Sequence, residues 1–451
     1  MNIVGSVQAH YSLMLDKEQK KFISTIVRCK RTLHGLLNPL LVYLSERVSY
    51  QFVLRFSPIS VAYLIEDKDT VESLATRIIF PRCMYGGREQ ICLKMWRPCI
   101  NGVYDTLNKC DRIRYLTEGI DFNARLAQNV YLGIAPVNVG KKAIWVGRLI
   151  KEPKETMLDS EREYALVMKR LDETWRLDHQ LAQGLSERKG MEFLAREIAS
   201  IHNSLDPSPA DRGDTGSITA KVLLNIALFD QALSALIPDP AGLPAIDTEE
   251  YRPVEHSMRR AVAALPEYFE FRHRKGHIRR CHGDLKATNL WVLPPTKHAS
   301  QQLLALDCVD FNPTFCHIDT LSDVAMLLID IETRLKGFGE QSQQKFLMEN
   351  CVEQFLKAYL EAMKEKRNDK IVKALLEFYM TEKAVVCAYM NILYDGLPTA
   401  GIGYLKTALR HAQQLEKYVN EIEKVAVSST YHRPNASKSF KPKPLRMVQR
   451  V

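Results

Sequence analysis

Residues 281–293 read CHGDLKATNLWVL and place His282, Asp284, Lys286 and Asn289 within eight positions, directly ahead of an apolar run. An aspartate can accept or orient the proton of an attacking hydroxyl, an amide oxygen can hold a cation, and a lysine can neutralise phosphate charge. Asp284, Asn289 and Lys286 offer those three parts. HGD alone is an ordinary turn, but the residues downstream of it are less ordinary. Leu290 to Leu293 predicts a short strand, "PPTKHAS" a turn, and "LLALDCVD" a second strand ending at Asp310. Paired antiparallel, the start of the first strand lies beside the end of the second, which brings Asn289 close to Asp307 and Asp310. Oxygen donors gathered in this way suit magnesium, a hard cation. Asp307 and Asp310 are three apart, so on an extended strand they point to opposite faces and only one can face the metal. The chemistry this set could perform is phosphoryl transfer.

Elements must hold that loop. The 451 residues suit two or three lobes rather than one small core. Residues 1–69 predict helices, with "EQKKFISTIVRCKRTLHGLLNPLLVYL" apolar at roughly helical spacing. Residues 77–85 and 89–96 are rich in strand formers, with Gly86-Gly87 as a hairpin turn between them. Asp105 is placed to cap a helix running to about Leu126. "KKAIWVGRLI" and "YALVMKRL" predict further strands. From about residue 173 the pattern turns helical, through "SERKGMEFLAREIASIHNSL" and an apolar stripe over 352–363, to about residue 424. The layout is a smaller strand-rich part followed by a larger helical one, an α+β chain.

Composition narrows the function classes. The net charge is +9, and 425–451 contributes Arg433, Lys438, Lys441, Lys443, Arg446 and Arg450 with no acid. A body that binds nucleic acid along its surface is therefore not indicated, which leaves weak contact by a basic, disordered tail. The ten cysteines form no CxxC pair, and read as reduced, buried thiols rather than a zinc site. No run approaches the ~18 to 20 apolar residues of a membrane span, and the start shows no apolar signal core, so the expected location is cytoplasmic. "NVGKK" lacks the spacing of a phosphate-binding P-loop. His202, on an apolar helix, reads as a packed histidine, and "RHRKGHIRR" at 272–280 as a solvated edge.

The run "HGDLKATNLWVL…LALDCVDFNPTFCHIDTLSDVAMLL" resembles the aminoglycoside phosphotransferase family of the protein-kinase-like superfamily. More closely, it resembles a group of poorly characterised bacterial members of that family. The resemblance extends from about residue 70 to about 415. It implies a two-lobed, protein-kinase-like fold, with a small β-rich N-lobe over 70–171 and a helical C-lobe over 172–424; the helical extension over 1–69 and the tail at 425–451 lie outside the resemblance. It also implies roles. His282 shapes the loop, Asp284 is the catalytic aspartate, Asn289 binds magnesium, and Asp323 steadies the loop from the next helix. Asp310, in "DFN", matches the metal-binding aspartate and is favoured over Asp307. Lys94 matches the strand lysine that holds the ATP phosphates, and Glu118, one position out of register, is the best candidate for its acidic partner. The segment Val167 to Leu171, including Met168 and Lys169, matches the hinge whose backbone meets adenine. "MYGGREQ" lacks a full glycine-rich loop. The implied activity is ATP- and Mg2+-dependent transfer of the γ-phosphate to a hydroxyl, expected on a small molecule. The alternatives are a protein kinase, a nucleotidyl transferase and a nucleotide-binding pseudokinase scaffold.

Overall fold

The computed structural model describes residues 54–56, 60–65, 91–96, 103, 105–139, 144–182, 188–236, 247–297, 299–336, 343–367, 369–395 and 397–430. Six strands form one antiparallel sheet: β1 (Leu54–Phe56), β2 (Ser60–Ile65), β3 (Ile91–Trp96), β4 (Tyr131–Val139), β5 (Ile144–Val146) and β6 (Glu163–Lys169), in the order β1-β2-β3-β6-β4-β5. β6 is buried from Tyr164 through Met168, the near-continuous apolar run of a strand covered on both faces. β3 has neighbours on both sides, with Lys94 opposite Ala62 and Leu166. The backbone beneath Lys94 is therefore fixed by two ladders.

Helix α1 (Lys109–Leu126) packs on this sheet. Ile113, Leu116 and Ile120 recur three and four apart, and join Trp96, Ile134, Tyr164, Leu166 and Met168 in one buried cluster. The cap is Asn108, whose side chain accepts from Cys110 N–H; the expected Asp105 instead accepts from Leu107 N–H in the turn before the helix.

Most of the remaining helices form a second, larger cluster. They are α2 (Leu177–Ala182), α3 (Arg188–Ser204), α4 (Thr215–Ala235), α5 (Arg252–Ala264), α6 (Pro266–Arg274), α7 (Thr320–Lys336), α8 (Gln343–Ala362), α9 (Lys370–Tyr389) and α10 (Pro398–Thr430). α7 and α9 are buried nearly all round, which places them at its centre. α4 is long and apolar enough to cross a membrane by length and composition, yet half of its most apolar stretch is buried inside the protein. Between these helices lie the short pairs β7 (Ile278–Arg280) with β10 (His317–Asp319), and β8 (Leu290–Leu293) with β9 (Gln302–Ala305).

Four expectations need correction or lie outside the described residues. Residues 54–56 and 60–65, assigned to the helical extension, are strands; β2 supplies the ladder on one side of the Lys94 strand, and that pairing overrides the local helical pattern. The second hairpin strand stops at Ala305 rather than Asp310. The last helix passes residue 424 and continues to Thr430. Residues 1–53, the strand over 77–85, the Gly86-Gly87 turn and 431–451 fall outside the described set.

Candidate active site

The CHGDLKATN motif sits between β7 and β8 as a loop tied down from two sides. From α7, Asp323 accepts His282 N–H at 2.9 Å and Gly283 N–H at 2.8 Å, one on each carboxylate oxygen. The carboxylate is buried and held below the usual range; burial opposes this, but hydrogen bonds from His202 and the loop amides outweigh it. His202 Nε2 lies 3.2 Å from Asp323 and its Nδ1 2.7 Å from the Tyr359 hydroxyl, so the packed histidine of the sequence holds the clamp in place. Two helical turns further, Asp330 accepts Ala287 N–H at 2.9 Å. Asp323 and Asp330 are seven apart and so share a face of α7.

Gly283 has φ +83°, and a Cβ there would lie 2.7 Å from the Phe315 carbonyl, so the turn accepts only glycine without strain. His282 is buried; its Nε2 donates to the Leu306 carbonyl at 2.8 Å and its Nδ1 accepts from Asp284 N–H at 3.3 Å. It joins the loop to the end of the hairpin.

Asp284 is partly exposed. Lys286 Nζ lies 2.9 Å from its Oδ1, and Asn289 Nδ2 donates to its Oδ2 at 3.2 Å and its backbone carbonyl at 2.9 Å. Burial would depress the Lys286 ammonium, but the Asp284 carboxylate beside it holds its pKa above the ordinary value. With its NH2 committed to Asp284, Asn289 has its amide oxygen as the atom able to ligate a cation. Asn289 is next to the hairpin end: its carbonyl accepts Leu306 N–H at 2.8 Å.

Past β9 the chain turns sharply. Asp307 adopts φ +64°, a left-handed conformation that aspartate tolerates better than most residues. Its N–H donates to the Tyr131 hydroxyl at 2.9 Å, and the next amide, Cys308 N–H, donates to Asn123 Oδ1 at 3.1 Å. Tyr131 in turn donates to Asn123 at 2.9 Å, so β4 and α1 together grip this turn. Neither residue stood out in the sequence, where a tyrosine and an asparagine 176 and 185 positions away carry no local signal.

The turn delivers the Asp307 carboxylate onto Lys94 Nζ in a direct ion pair. Asp307 is half exposed; burial acts to raise its pKa, and Lys94 more than reverses this. Asp310 is placed differently. Its carboxyl packs against Gly119 of α1, where a Cβ would collide with it, and burial together with the neighbouring Asp307 charge pushes it up to about 7. Of the two acids, it is therefore Asp307 that meets Lys94 directly. The premise of one extended strand was wrong, because the hairpin ends two residues before Asp307.

Glu118 is also corrected. It is exposed, and among the described residues no ion pair joins it to Lys94. The next residue, Gly119, is the one that faces the site, against Asp310. Met168 and Lys169 lie inside the sheet: Met168 is opposite Cys92 and Tyr131, and Lys169 N–H donates to the Val130 carbonyl at 2.9 Å. That amide is not available to an adenine edge.

No family model matches the chain. It is 22% identical over 328 residues to uncharacterised proteins of Mycobacterium tuberculosis and Mycobacterium bovis, an alignment covering 71% of this chain and 56% of theirs. The chain spans about half the length of the curated relatives it matches. Among solved structures it is similar to a microcompartment-associated aminopropanol kinase, at 13% identity and a TM-score of 0.44 over 84% of this chain and 98% of that one. It is also similar to choline kinase from Cryptosporidium parvum, at 13% identity and a TM-score of 0.42 over 84% and 92%. A third is a spectinomycin phosphotransferase solved with ADP and spectinomycin, at 10% identity and a TM-score of 0.35 over 83% and 93%. All three are kinases or phosphotransferases. Similarity this distant leaves the chain's own residues to carry the chemistry.

Proposed function

We propose that this protein is a two-lobed, protein-kinase-like phosphotransferase that moves the γ-phosphate of ATP to a hydroxyl. The observation that carries this reading is the Lys94–Asp307 ion pair. It joins a lysine in the middle of one sheet to an acid beside the Asp284–Asn289 loop, across 213 positions of sequence. A cation and an oxygen-donor cluster brought together by tertiary structure suit a nucleotide's phosphates and the divalent ion that accompanies them.

Asp307 and the Asn289 amide oxygen would hold magnesium, which would draw charge off the phosphates when bound. The residues' own parts follow from their contacts. Lys94 would neutralise phosphate oxygens, with Asp307 beside it placed to hold the cation. Asp284, fixed by Asn289 and partly exposed, orients the acceptor O–H and takes its proton as the acceptor oxygen bonds to the γ-phosphorus and the γ-phosphorus–oxygen bond to ADP breaks. Lys286, at 2.9 Å from Asp284, sits where the charge of the transferring group passes. With Lys169 N–H committed to the sheet, hydrogen bonds to adenine fall to the backbone of residues 170–172, at the exit from β6. The small-molecule acceptor rests on the resemblance of the "HGDLKATN" motif to the aminoglycoside phosphotransferase family.

Mg-ATP should raise the melting temperature by preferential binding to the folded state. Asp307→Asn should remove the magnesium dependence of that shift, and Asp310→Asn should leave it largely in place. The absence of any shift or calorimetric heat with millimolar Mg-ATP would sink the reading. A second reading, a nucleotide-binding scaffold, draws on the exposure of Glu118, which leaves Lys94 without the expected helix partner. Tight Mg-ATP binding with no turnover of any acceptor would favour it.

A further inference from the structure

The chain leaving β6 forms a strap over residues 172–182 that lies along the hairpin behind the catalytic loop. Arg176 makes a backbone bridge to Trp291 of β8, and Gln180 Nε2 donates to the Val292 carbonyl at 3.1 Å. Side chains extend the connection. Arg176 holds Asp178 through Nε at 2.6 Å and Nη2 at 3.0 Å. Arg334, at the end of α7, lies 3.8 Å from Asp178 and 3.0 Å from Asp330. Asp330 accepts Ala287 N–H at 2.9 Å, between Lys286 and Asn289. Four alternating charges thus run from the strap to the loop. Arg176 and Asp178 are nearly buried and Asp330 is fully so, which leaves little screening along most of the chain. Arg334 is the one link with a substantial solvent face, at 37% exposed.

We infer that Arg176, Asp178, Arg334 and Asp330 form a positioning chain that sets the Lys286–Asn289 segment from the hinge side, with Arg334 as its central link. Arg334 touches no reacting atom; it acts through Asp330 on the backbone that carries Asn289. Asp330 has a second support in the Tyr404 hydroxyl at 2.9 Å, so losing Arg334 loosens the loop without leaving the acid bare. The functional meaning rests on the phosphotransferase reading, because the strap flanks the proposed adenine site. The physical claim, that distant side chains order this loop, does not.

A spatial path is evidence of coupling only when its links prove interdependent. The test is hydrogen exchange across residues 282–290 in wild type, Arg334→Met, Arg176→Met, the double variant and Arg334→Lys. Each Met variant should speed loop exchange roughly tenfold, as loss of a charge-assisted contact would. The double variant should add little, because both changes break one chain. Arg334→Lys should recover most of the protection. With an active preparation, kcat should fall while KM for ATP stays near wild type. Unchanged loop exchange in the Met variants, or full additivity in the double, overturns the proposal. If Arg334→Met fails to fold, Asp178→Asn replaces it under the same criteria. Nucleotide binding by wild type is measured separately. Its absence would remove the phosphotransferase reading and leave the exchange result to decide the chain by itself.

Discussion

At the scale of single residues, two aspartates three positions apart are separated by backbone conformation. Asp307, in a left-handed turn, reaches Lys94, while Asp310, in the packed segment beyond it, meets Gly119. Asp284 is the residue whose loss should separate an enzyme from a scaffold. Its contacts are to Lys286 and Asn289, away from the Lys94–Asp307 pair, so its contribution should appear in turnover rather than in nucleotide binding. We expect Asp284→Ala to keep the fold and Mg-ATP affinity while losing ~10² to 10⁴-fold in kcat, the usual range for a positioned general base. Steady-state kinetics with an acceptor, or slow ATP hydrolysis, checks this. Wild-type turnover in the variant would make the aspartate structural.

Among the elements, α7 does most to shape the site. Its first turns are buried, so acids at 323 and 330 must find partners, and the loop amides supply them. Asp323→Ala would strip partners from two buried N–H groups at once. Each unsatisfied donor costs about 1 to 3 kcal/mol, so the expected loss is roughly 2 to 6 kcal/mol by denaturant titration. Asp323→Asn offers one acceptor in place of two and should fall between. A loss below about 1 kcal/mol for the alanine variant would mean the loop holds its shape without the clamp. Gly283→Ala tests the same turn from the backbone side. At φ +83° with a carbonyl 2.7 Å away, it should cost about 1 to 3 kcal/mol.

For the molecule as a whole, a buried histidine ties three helices of the helical cluster together. His411 of α10 places Nδ1 2.6 Å from Glu377 of α9 and Nε2 3.0 Å from Glu332 of α7, and Arg410 also pairs with Glu332. Burial and Arg410 act to lower the histidine pKa, but the two glutamates raise it above 6.5. A pKa raised on folding gives stability that is fully present below the unfolded value and is lost as pH rises through the folded one. The melting-temperature deficit of His411→Gln against wild type should therefore be largest near pH 6 and shrink as pH climbs toward 9. A deficit constant over that range would show that His411 is neutral in the folded protein.

The sequence by itself determined the parts whose signals are local. The loop's polar residues, the strand at 290–293, the helix ending at Leu126 and the α+β layout are all written in spacing and apolar period, which short-range sterics and burial convert directly into structure. Asp323 came from the family resemblance rather than from spacing, and its carboxylate holds the loop amides of His282 and Gly283. Asp330, seven positions on, holds the loop in the same way, but an acid in mid-helix carries no local signal. Tertiary structure decided the rest, because those choices turn on partners far away along the chain. Residues 60–65 became a strand by pairing with β3, and 54–56 by pairing with 60–65 in turn. Lys94 took Asp307 rather than Glu118 because Tyr131 and Asn123 hold the turn at 307–308 while α1 presents glycine at the site. A local pattern sets what a segment prefers, but which of two nearby acids meets a distant lysine depends on a fraction of a turn, and only the packed core fixes that angle.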